Sequence, residues 1–393
     1  MVVTADRSAR VRVLQVIDHL HVGGAQAVLR GISMLADRSR FQLSVANVMR
    51  GYDPDLVGAL RASCREVLLL EGRGMWDLRA VASLVRAIRR SRIDVVHTHL
   101  AIGDFCGGLA GRLTGRPVVA TLHSVAGDRR THPLPRRTLA RFATRSLADE
   151  LIAVSEAVKT SHVEELGIAS ARLRVLRNVS LAGLLLPPDF DRRRKRAELR
   201  LGDEPVAAAV ARLAAPKDHD TLLRALPSVL AECPTLRVLI VGDGPRRDEL
   251  ERLARELAVG HAVRFLGQRA DAVEIVAATD VICSPTLENE GLSITVLDAM
   301  KLGIPVLATR VSSLEEVIAD GRSGLLVPPR DSRAFAAALL MLLRDADTRR
   351  RIGAAARVEA GAQLDPGRWI REHEAIYARL AAHGRSRGGR GER

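Results

Sequence analysis

The sequence has few aromatic residues and very little lysine, and both shortages bear on what it can bind. Aromatic residues make up only 3% of the 393 residues, and no stretch interleaves them with basic residues as single-strand-binding surfaces do. Lysine occurs only at positions 159, 195, 217 and 301, so arginine carries most of the formal net charge of +14. We therefore expect no nucleic-acid partner, although the charge alone would suggest one.

Closely spaced cysteines and long apolar runs are also missing. The four cysteines, Cys64, Cys106, Cys233 and Cys283, form no CxxC pair, and this pattern is typical of reduced thiols in a cytoplasm. The charged N-terminal residues predict no signal peptide, and no uninterrupted apolar run approaches the roughly 18–20 residues of a membrane span. These features predict a cytoplasmic protein.

The chain is long enough for two domains of about 150–200 residues each. Apolar runs that suit strands alternate with helical patterns in both halves, starting at 11–17 and again at 206–211. Such alternation is typical of parallel sheets covered by helices. We predict an N-terminal domain over 10–185, a linker over 186–200, a C-terminal domain over 201–365, a final helix over 366–382 and a disordered basic tail over 383–393.

The stretch from 284 to 303 has the pattern of a loop followed by a helix. An apolar run over 280–283 suits a buried strand, and Pro285 ends regular structure after it. Apolar residues then recur at helical spacing from Leu292, and Gly303 supplies the stop. A helix is therefore predicted over residues 292–302.

Two acids and a set of backbone amides in this stretch predict a site for a sugar nucleotide. Glu290 would lie in the loop before the helix, and Asp298 about two turns inside it, since a turn takes ~3.6 residues. The N–H groups expected to be unpaired at the helix N-terminus are those of Gly291, Leu292, Ser293 and Ile294. Such amides bind a phosphate, and the two acids suit sugar or ribose hydroxyls.

This stretch resembles the E-x7-E signature of retaining, nucleotide-sugar-dependent glycosyltransferases with the GT-B fold, and glycosyltransferase family 4 is the most similar set. Glu290-x7-Asp298 is followed by Gly303-Ile-Pro-Val-Leu-Ala-Thr309, with Asp298 in place of the usual second Glu. The resemblance, which covers about residues 10–382, implies an α/β GT-B fold of two Rossmann-like domains with parallel sheets facing an interdomain cleft. It places the nucleotide sugar on the C-terminal domain and the acceptor on the N-terminal one. It also implies that the final helix packs back across the first domain.

Further motifs resemble those of the same family. Arg212 and Lys217 follow the strand at 206–211, and this pair could bracket a diphosphate and offset the charge of the leaving group. The family holds the nucleobase largely through backbone near Gly267 and Arg269. The other candidate donor-binding residues are Gly242 in a close-approach turn, Glu316 after Ser312-Ser313 where the family usually has Gly-Gly, and the glycines Gly23 and Gly24.

In the first half, the strand at 11–17 is followed by Gly23-Gly-Ala-Gln26, which resembles a family loop that faces donor phosphates and acceptor. His97, His99 and His123 follow at two neighbouring strand ends. A zinc site is one interpretation of these histidines, and side chains bonded to loop carbonyls are another. His123 matches the family's Thr-x-His, which implies that it holds a sugar or acceptor hydroxyl.

The segment 129–145 concentrates arginines with interleaved Leu and Phe. It suits an amphipathic surface for anionic lipid or an anionic acceptor, and it equally suits a solvated basic helix. On the first interpretation the protein would be peripheral on the inner face of the membrane.

Together these features predict a retaining hexosyltransferase that moves a sugar from a nucleotide-diphosphate sugar to a hydroxyl of a glycan, a lipid-linked or cell-envelope precursor, or a small molecule. Glu290, His123, Arg212 and Lys217 are the candidate catalytic residues. The two Asp-x-Asp strings fall in the linker and at a helix end, so we expect no metal or other cofactor. Two alternatives stay open: a GT-B sugar-nucleotide epimerase or phosphorylase, and a non-catalytic sugar-nucleotide-binding protein.

Overall fold

The chain forms two compact units, each built on a parallel β-sheet. The computed structural model describes residues 10–72, 77–126, 138, 141–287 and 291–388. The first unit contains residues 1–177 and 366–393, and the second contains residues 178–365. The α/β architecture of two Rossmann-like domains, predicted from the sequence, is confirmed.

Strands pair in parallel within each sheet. The first unit contains β1 (Val11–Ile17), β2 (Phe41–Asn47), β3 (Glu66–Leu69), β4 (Val95–His99), β5 (Val118–Leu122), β6 (Glu150–Ala153) and β7 (Leu173–Val175). The second contains β8 (Val206–Val210), β9 (Arg237–Val241), β10 (Val263–Gly267), β11 (Val281–Ser284), β12 (Val306–Thr309) and β13 (Leu325–Val327). The strand orders are β3-β2-β1-β4-β5-β6-β7 and β10-β9-β8-β11-β12-β13. The order therefore reverses between β1 and β4 and between β8 and β11, where sheets of this kind bind ligands.

Helices connect the strands and cover the sheets. They are α1 (Gly24–Leu35), α2 (Pro54–Ser63), α3 (Leu78–Arg90), α4 (Ala101–Leu113), α5 (Glu156–Leu166), α6 (Ala182–Leu185), α7 (Arg192–Glu198), α8 (His219–Glu232), α9 (Arg247–Glu256), α10 (Ala272–Ala278), α11 (Ile294–Leu302), α12 (Ser312–Glu315), α13 (Ser332–Arg344), α14 (Ala346–Gln363) and α15 (Pro366–Gly388). A π-helical turn occupies Ala143–Leu147, and 3₁₀ turns occupy Ser170–Arg172 and Ala215–Lys217. None of the helices in the described ranges combines the length and the apolar composition that crossing a bilayer requires.

The central strands are apolar on both faces because helices cover both sides of each sheet. In the second unit, β8 reads Val-Ala-Ala-Ala-Val and β9 reads Arg-Val-Leu-Ile-Val, and nearly all of these side chains are buried. Helices α8 and α13 pack on this sheet through Leu222, Phe335 and Leu339, which are fully buried. Each such side chain contributes ~1.5–3 kcal/mol when it leaves water.

Local signals in the sequence explain where helices begin and end. Helix α2 begins after Asp53, whose carboxylate accepts a hydrogen bond from the N–H of Leu56. Helix α5 begins after Ser155, whose hydroxyl accepts from the N–H of Val158 in the same way. It ends at Gly167, which adopts a positive φ of 61° that other residues reach only with strain.

The last helix, α15, packs on the first sheet against β1, β4 and α1. Its Tyr377 is fully buried, and its Glu374 carboxylate accepts the N–H of Asp37 at 2.7 Å. The sequence predicted that this helix would pack on the first domain and end near 382. The helix continues to Gly388, into the segment for which the sequence predicted disorder.

The segment predicted as a linker, 186–200, belongs to the second unit and contains α7. Asp191 caps this helix, and Lys195 is buried within it. The Lys195 ammonium lies 2.9 Å from the carboxylate of Asp271 and 2.8 Å from that of Glu274, both beside or within α10. The charged run is thus one half of an ion-pair network. Its acidic partners are distant in the sequence, so charge spacing alone could not reveal it.

Candidate active site

One loop at the carboxyl edge of the second sheet, between β8 and α8, holds both candidate diphosphate-binding cations. Arg212 follows β8, and its side chain is exposed. Lys217 ends the 3₁₀ turn and is half-buried. The carbonyl of Pro216, between them, accepts the N–H of Leu287 at 2.8 Å. This bond holds the cation-bearing loop against the segment that follows β11.

The N-terminus of α11 lies beside the same loop. Ser293, which precedes the helix, makes no side-chain capping hydrogen bond. The first N–H groups of a helix have no acceptor within it, and the positive end of the helix dipole lies there. The hydroxyl of Thr295 donates to the carbonyl of Val210 at 3.0 Å, which ties the first turn of α11 to the end of β8. The N-terminus of α11 therefore lies beside the end of the strand that leads into Arg212.

Helix α11 begins at Ile294, later than the sequence predicted, so Asp298 lies about one turn inside it rather than two, at ~3.6 residues per turn. Its carboxylate is buried and accepts the hydroxyl of Ser180 at 2.7 Å. Burial raises the pKa of Asp298 to about 6, while hydrogen bonds from Ser180 and from the backbone of Leu181 and Ala182 oppose the rise. The carboxylate is thus held by its own chain, and its contact with a ribose stays a prediction.

Sequence reasoning did not include the segment 178–182 in the site. The side-chain amide of Asn178 donates to the carbonyl of Leu292 at 3.0 Å, and Ser180 binds Asp298. The segment therefore holds both the approach to α11 and its first turns. No local pattern connects this segment to its partners, because Leu292 and Asp298 lie 114 and 118 positions further along the chain. Gly291 and Leu292 are buried next to this segment.

The predicted close-approach glycines make room for the chain itself. Gly242 has a φ of 133°, and a Cβ there would lie 2.0 Å from the carbonyl oxygen of Ala211. Its N–H donates to the carbonyl of Gly267 at 2.8 Å, and Gly267 also has a positive φ. The space left by the missing side chain of Gly242 is filled by the loop that carries Arg212.

The remaining second-unit candidates occupy three different situations. The guanidinium of Arg269 donates to both carboxylate oxygens of Asp271 at 2.7 Å, so this side chain is paired within the chain. A contact between a nucleobase and the backbone after β10 stays a prediction. Glu316 follows α12 and is half-buried. Glu290 lies outside the described residues, which stop at 287 and resume at 291.

In the first unit, Gly23 and Gly24 are exposed at the start of α1, the first as the residue before the helix and the second as its first residue. Gly23 is extended, and a Cβ on Gly24 would meet no atom within 4 Å. The side-chain amide of Gln26 donates to the carbonyl of His19 at 3.0 Å, and this bond stabilises the turn before Gly23 and Gly24. The turn lies at the carboxyl end of β1, beside the point where the strand order reverses.

The three predicted histidines lie together at the ends of β4 and β5. The two ring nitrogens of His97 lie 2.7 Å from the hydroxyls of Tyr377 and Thr121, and His99 Nδ1 lies 3.0 Å from His123 Nε2. Burial lowers the pKa of His123 to about 3, so its ring is neutral near neutral pH. In the described part of the chain, no group of three or more His, Cys, Asp or Glu residues could hold a metal ion. The zinc interpretation has no support there.

Most of the basic segment 129–145 lies outside the described residues. The described part begins with position 138 and continues from 141. Arg141 and Phe142 are exposed, and the π-helical turn follows them. The predicted membrane or acceptor surface stays a prediction.

Two family models match the chain. The model described as Glycosyltransferase Family 4 matches residues 22–179. Of these, residues 22–177 lie in the first unit, and residues 178 and 179 begin the second. The model described as Glycosyl transferases group 1 matches residues 204–345, within the second unit. The two matches include the loops that carry Gly23, His123 and Arg212, and the helix that carries Asp298.

Named relatives and a solved structure are similar to this chain. It is 34% identical over 264 residues to the phosphatidyl-myo-inositol mannosyltransferase of Mycolicibacterium smegmatis, which is 66% of this chain and 64% of that protein. It is 32% identical over 302 residues to a D-inositol 3-phosphate glycosyltransferase of Corynebacterium aurimucosum, which is 72% of this chain and 71% of that protein. Anabaena HepE in complex with UDP and glucose has a TM-score of 0.82 at 22% identity, covering 94% of this chain and all of that one. At this identity the last similarity concerns the fold.

Proposed function

Because the chain belongs to the group 1, family 4 glycosyltransferases and is a hexosyltransferase with the GT-B fold, we propose that it transfers a hexose from a nucleoside-diphosphate sugar to an inositol-bearing acceptor. The observation that carries the proposal is the convergence of Arg212, Lys217 and the first turn of α11 at one edge of the second sheet. These groups can offset the negative charge of a departing diphosphate.

The donor side of the proposal rests on charge. A nucleoside diphosphate departs with negative charge, which two cations and the N-terminus of a helix can offset. The bonds of Thr295 to Val210 and of Leu287 to Pro216 support a common role, because they hold these groups next to one another. In this proposal the cations and amides do the work that a metal ion does in other transferases. We propose no metal requirement for that reason.

The acceptor side rests on the relatives and on the first unit. The two named relatives act on phosphatidyl-myo-inositol and on D-inositol 3-phosphate, which supports an acceptor with an inositol hydroxyl. The partly exposed His123 is the proposed acceptor-side group, and the loop of Gly23 and Gly24 is proposed to face both the donor phosphates and the acceptor. Glu290 would contact the transferred sugar, and transfer would retain the anomeric configuration without a covalent nucleophile.

A transfer assay tests this function. The donors are UDP- and GDP-hexoses, and the acceptors are myo-inositol phosphate in solution and phosphatidylinositol in vesicles, with phosphatidylcholine vesicles as the control. We expect one donor to raise the unfolding temperature, because a ligand at a hundred times its Kd adds ~2.7 kcal/mol of stability. That donor should give a hexosyl-inositol product whose anomeric configuration matches the donor.

The outcomes separate the parts of the proposal. If the donor is consumed neither with myo-inositol phosphate nor with phosphatidylinositol, this result contradicts the function proposed. Transfer only to phosphatidylinositol vesicles would identify the acceptor as lipid-linked. The net charge of +14 is consistent with this outcome, because it attracts the protein to an anionic lipid surface. An inverted product would overturn retention and leave the transferase proposal standing.

A further inference from the structure

Four histidines and one tyrosine form a row on one face of the first sheet. His97 and His99 alternate along β4 and therefore point to the same face, and His123 follows the neighbouring strand. His373 and Tyr377 approach this face from α15. The ring centroids of His97 and His99 are 4.3 Å apart, and those of His99 and His123 are 5.3 Å apart. The proposed function uses only His123 of this row.

The rings of this row are neutral near neutral pH. Burial, and then repulsion between neighbouring rings, lowers the pKa of His97 and of His99 well below the ordinary value. Burial also lowers the pKa of His123 to about 3 and that of His373 to about 4. A neutral imidazole has one N–H and one lone pair. The 3.0 Å contact between His99 Nδ1 and His123 Nε2 therefore has one donor and one acceptor.

The second ring nitrogen of His99 indicates which ring donates. His99 is fully buried, and its Nε2 has no hydrogen-bond partner among the described residues. If His99 accepted at Nδ1, its proton would lie on Nε2 as a buried N–H without an acceptor. If His99 donates from Nδ1, Nε2 carries only a lone pair. Among buried backbone groups, an orphaned N–H is the rarer of these two defects.

We propose that His99 is a positioning residue that donates its Nδ1–H to Nε2 of His123 and so places the proton of His123 on Nδ1. The inference rests on the proposed function, in which His123 contacts the sugar or the acceptor. With Nε2 occupied by His99, the remaining polar group of the half-buried His123 is an N–H. His123 therefore donates a hydrogen bond to a substrate oxygen and does not remove a proton from it.

The rest of the row holds His99 in place. The ring nitrogens of His97 are engaged by the hydroxyls of Tyr377 and Thr121, which fix the plane of that ring. The ring of His97, tilted by 38° against that of His99 with 4.3 Å between the centroids, then limits rotation of His99. Helix α15 thus contributes to the orientation of His123 through two intermediate rings, although it carries no candidate substrate contact.

The tautomer can be read directly in the full chain without donor or acceptor. In protein labelled with ¹⁵N-histidine, two-bond ¹H–¹⁵N correlations distinguish a ring protonated on Nδ1 from one protonated on Nε2. The variants His123→Gln and His99→Gln identify the two signals, since each variant lacks the signal of one ring. If either variant fails to fold, the wild-type spectrum is the reference. We expect Nδ1–H for both rings. A proton on Nε2 of His123 would overturn the proposal.

A matched pair of substitutions separates positioning from packing. In His99→Asn the side-chain amide nitrogen can take the place of Nδ1 and donate to His123, whereas in His99→Gln the amide reaches the place of Nε2. We expect the Asn variant to keep His123 protonated on Nδ1 and to keep kcat, and the Gln variant to lose about 10- to 100-fold in kcat. Equal behaviour of the two variants would overturn the role of His99. Because the tautomer is read without substrate, its result stays separate from any failure of the transferase assay.

Discussion

Asp298 has a buried carboxylate whose surroundings oppose its charge. Its pKa is about 6 in the folded chain, because burial raises it further than the bonds from Ser180 and the nearby backbone lower it. The pKa of an Asp in the unfolded chain is ~3.9, so the folded state binds the proton more tightly than the unfolded state does. The stabilisation from this difference is complete below the unfolded pKa and is lost as the pH rises through about 6.

We predict that Asp298→Asn becomes more stable relative to the wild type as the pH rises from about 4 to about 7, by up to ~3 kcal/mol. Asn keeps an acceptor for the backbone N–H groups and has no charge to bury. Urea unfolding at both pH values measures the difference. Asp203→Asn is the control, since that carboxylate is exposed in the same unit. A difference between variant and wild type that does not change with pH would contradict the account.

At the scale of residues, the sequence could identify side chains that are able to bind a ligand, but it could not identify the partners of those side chains. Arg212 and Lys217 were recognisable because their spacing after a strand is local, and the structure does put them in one loop. Ser180 was not recognisable, because its partner Asp298 is 118 positions away and no local pattern connects them. The pairing of His99 with His123 was missed for the same reason: it depends on the alignment of two strands.

At the scale of elements, the turn after β9 supports the loop after β8. The N–H of Leu213 donates to the carbonyl of Asp243 at 3.0 Å, and the N–H of Arg246 donates to the carbonyl of Leu213 at 3.1 Å. Gly242 and Gly244 allow this approach, because a Cβ on either would lie within 2.4 Å of a backbone oxygen in the loop. The position of Arg212 therefore depends on glycines that need not touch the ligand.

We predict that Gly242→Ala lowers the free energy of unfolding by at least ~1–3 kcal/mol, the usual cost of a strained backbone, and weakens binding of a nucleoside diphosphate. The reason is the clash with Ala211, which displaces the loop that carries Arg212. Chemical unfolding and titration calorimetry measure the two effects. The control is Gly260→Ala, where the nearest atoms to a new Cβ are 4.0 Å away. Wild-type stability and affinity in Gly242→Ala would show that the turn does not support the loop.

Elements with strong apolar patterns were predictable from the sequence, and short or charged ones were not. The strand at Val11–Ile17 and the end of α11 at Gly303 follow directly from apolar runs and a glycine stop. Strand β3 was missed because it is short and only half-buried. Helix α7 was taken for a linker because its buried Lys195 depends on acids from another part of the chain.

At the scale of the whole molecule, the fold and family were predictable because the signature around Glu290 and Asp298 is specific. The matches of both family models confirm that prediction. The acceptor was not predictable, because the motifs at Gly23, Gly24 and His123 resemble those of a whole family and do not distinguish one acceptor from another. The net charge of +14 has a further consequence, since it attracts any polyanion to the surface without a dedicated site. Binding of a nucleoside diphosphate by itself therefore says little about Arg212.

The most direct measurement is calorimetric binding of the nucleoside diphosphate of the selected donor to Arg212→Ala and Arg255→Ala. Both variants remove one positive charge from an exposed position of the second unit, so general attraction changes equally. A charge-assisted hydrogen bond contributes ~1.5–3 kcal/mol, and we therefore predict roughly 10- to 100-fold weaker binding for Arg212→Ala and little change for Arg255→Ala. Equal weakening in the two variants would contradict the diphosphate site proposed at the β8 loop and the N-terminus of α11.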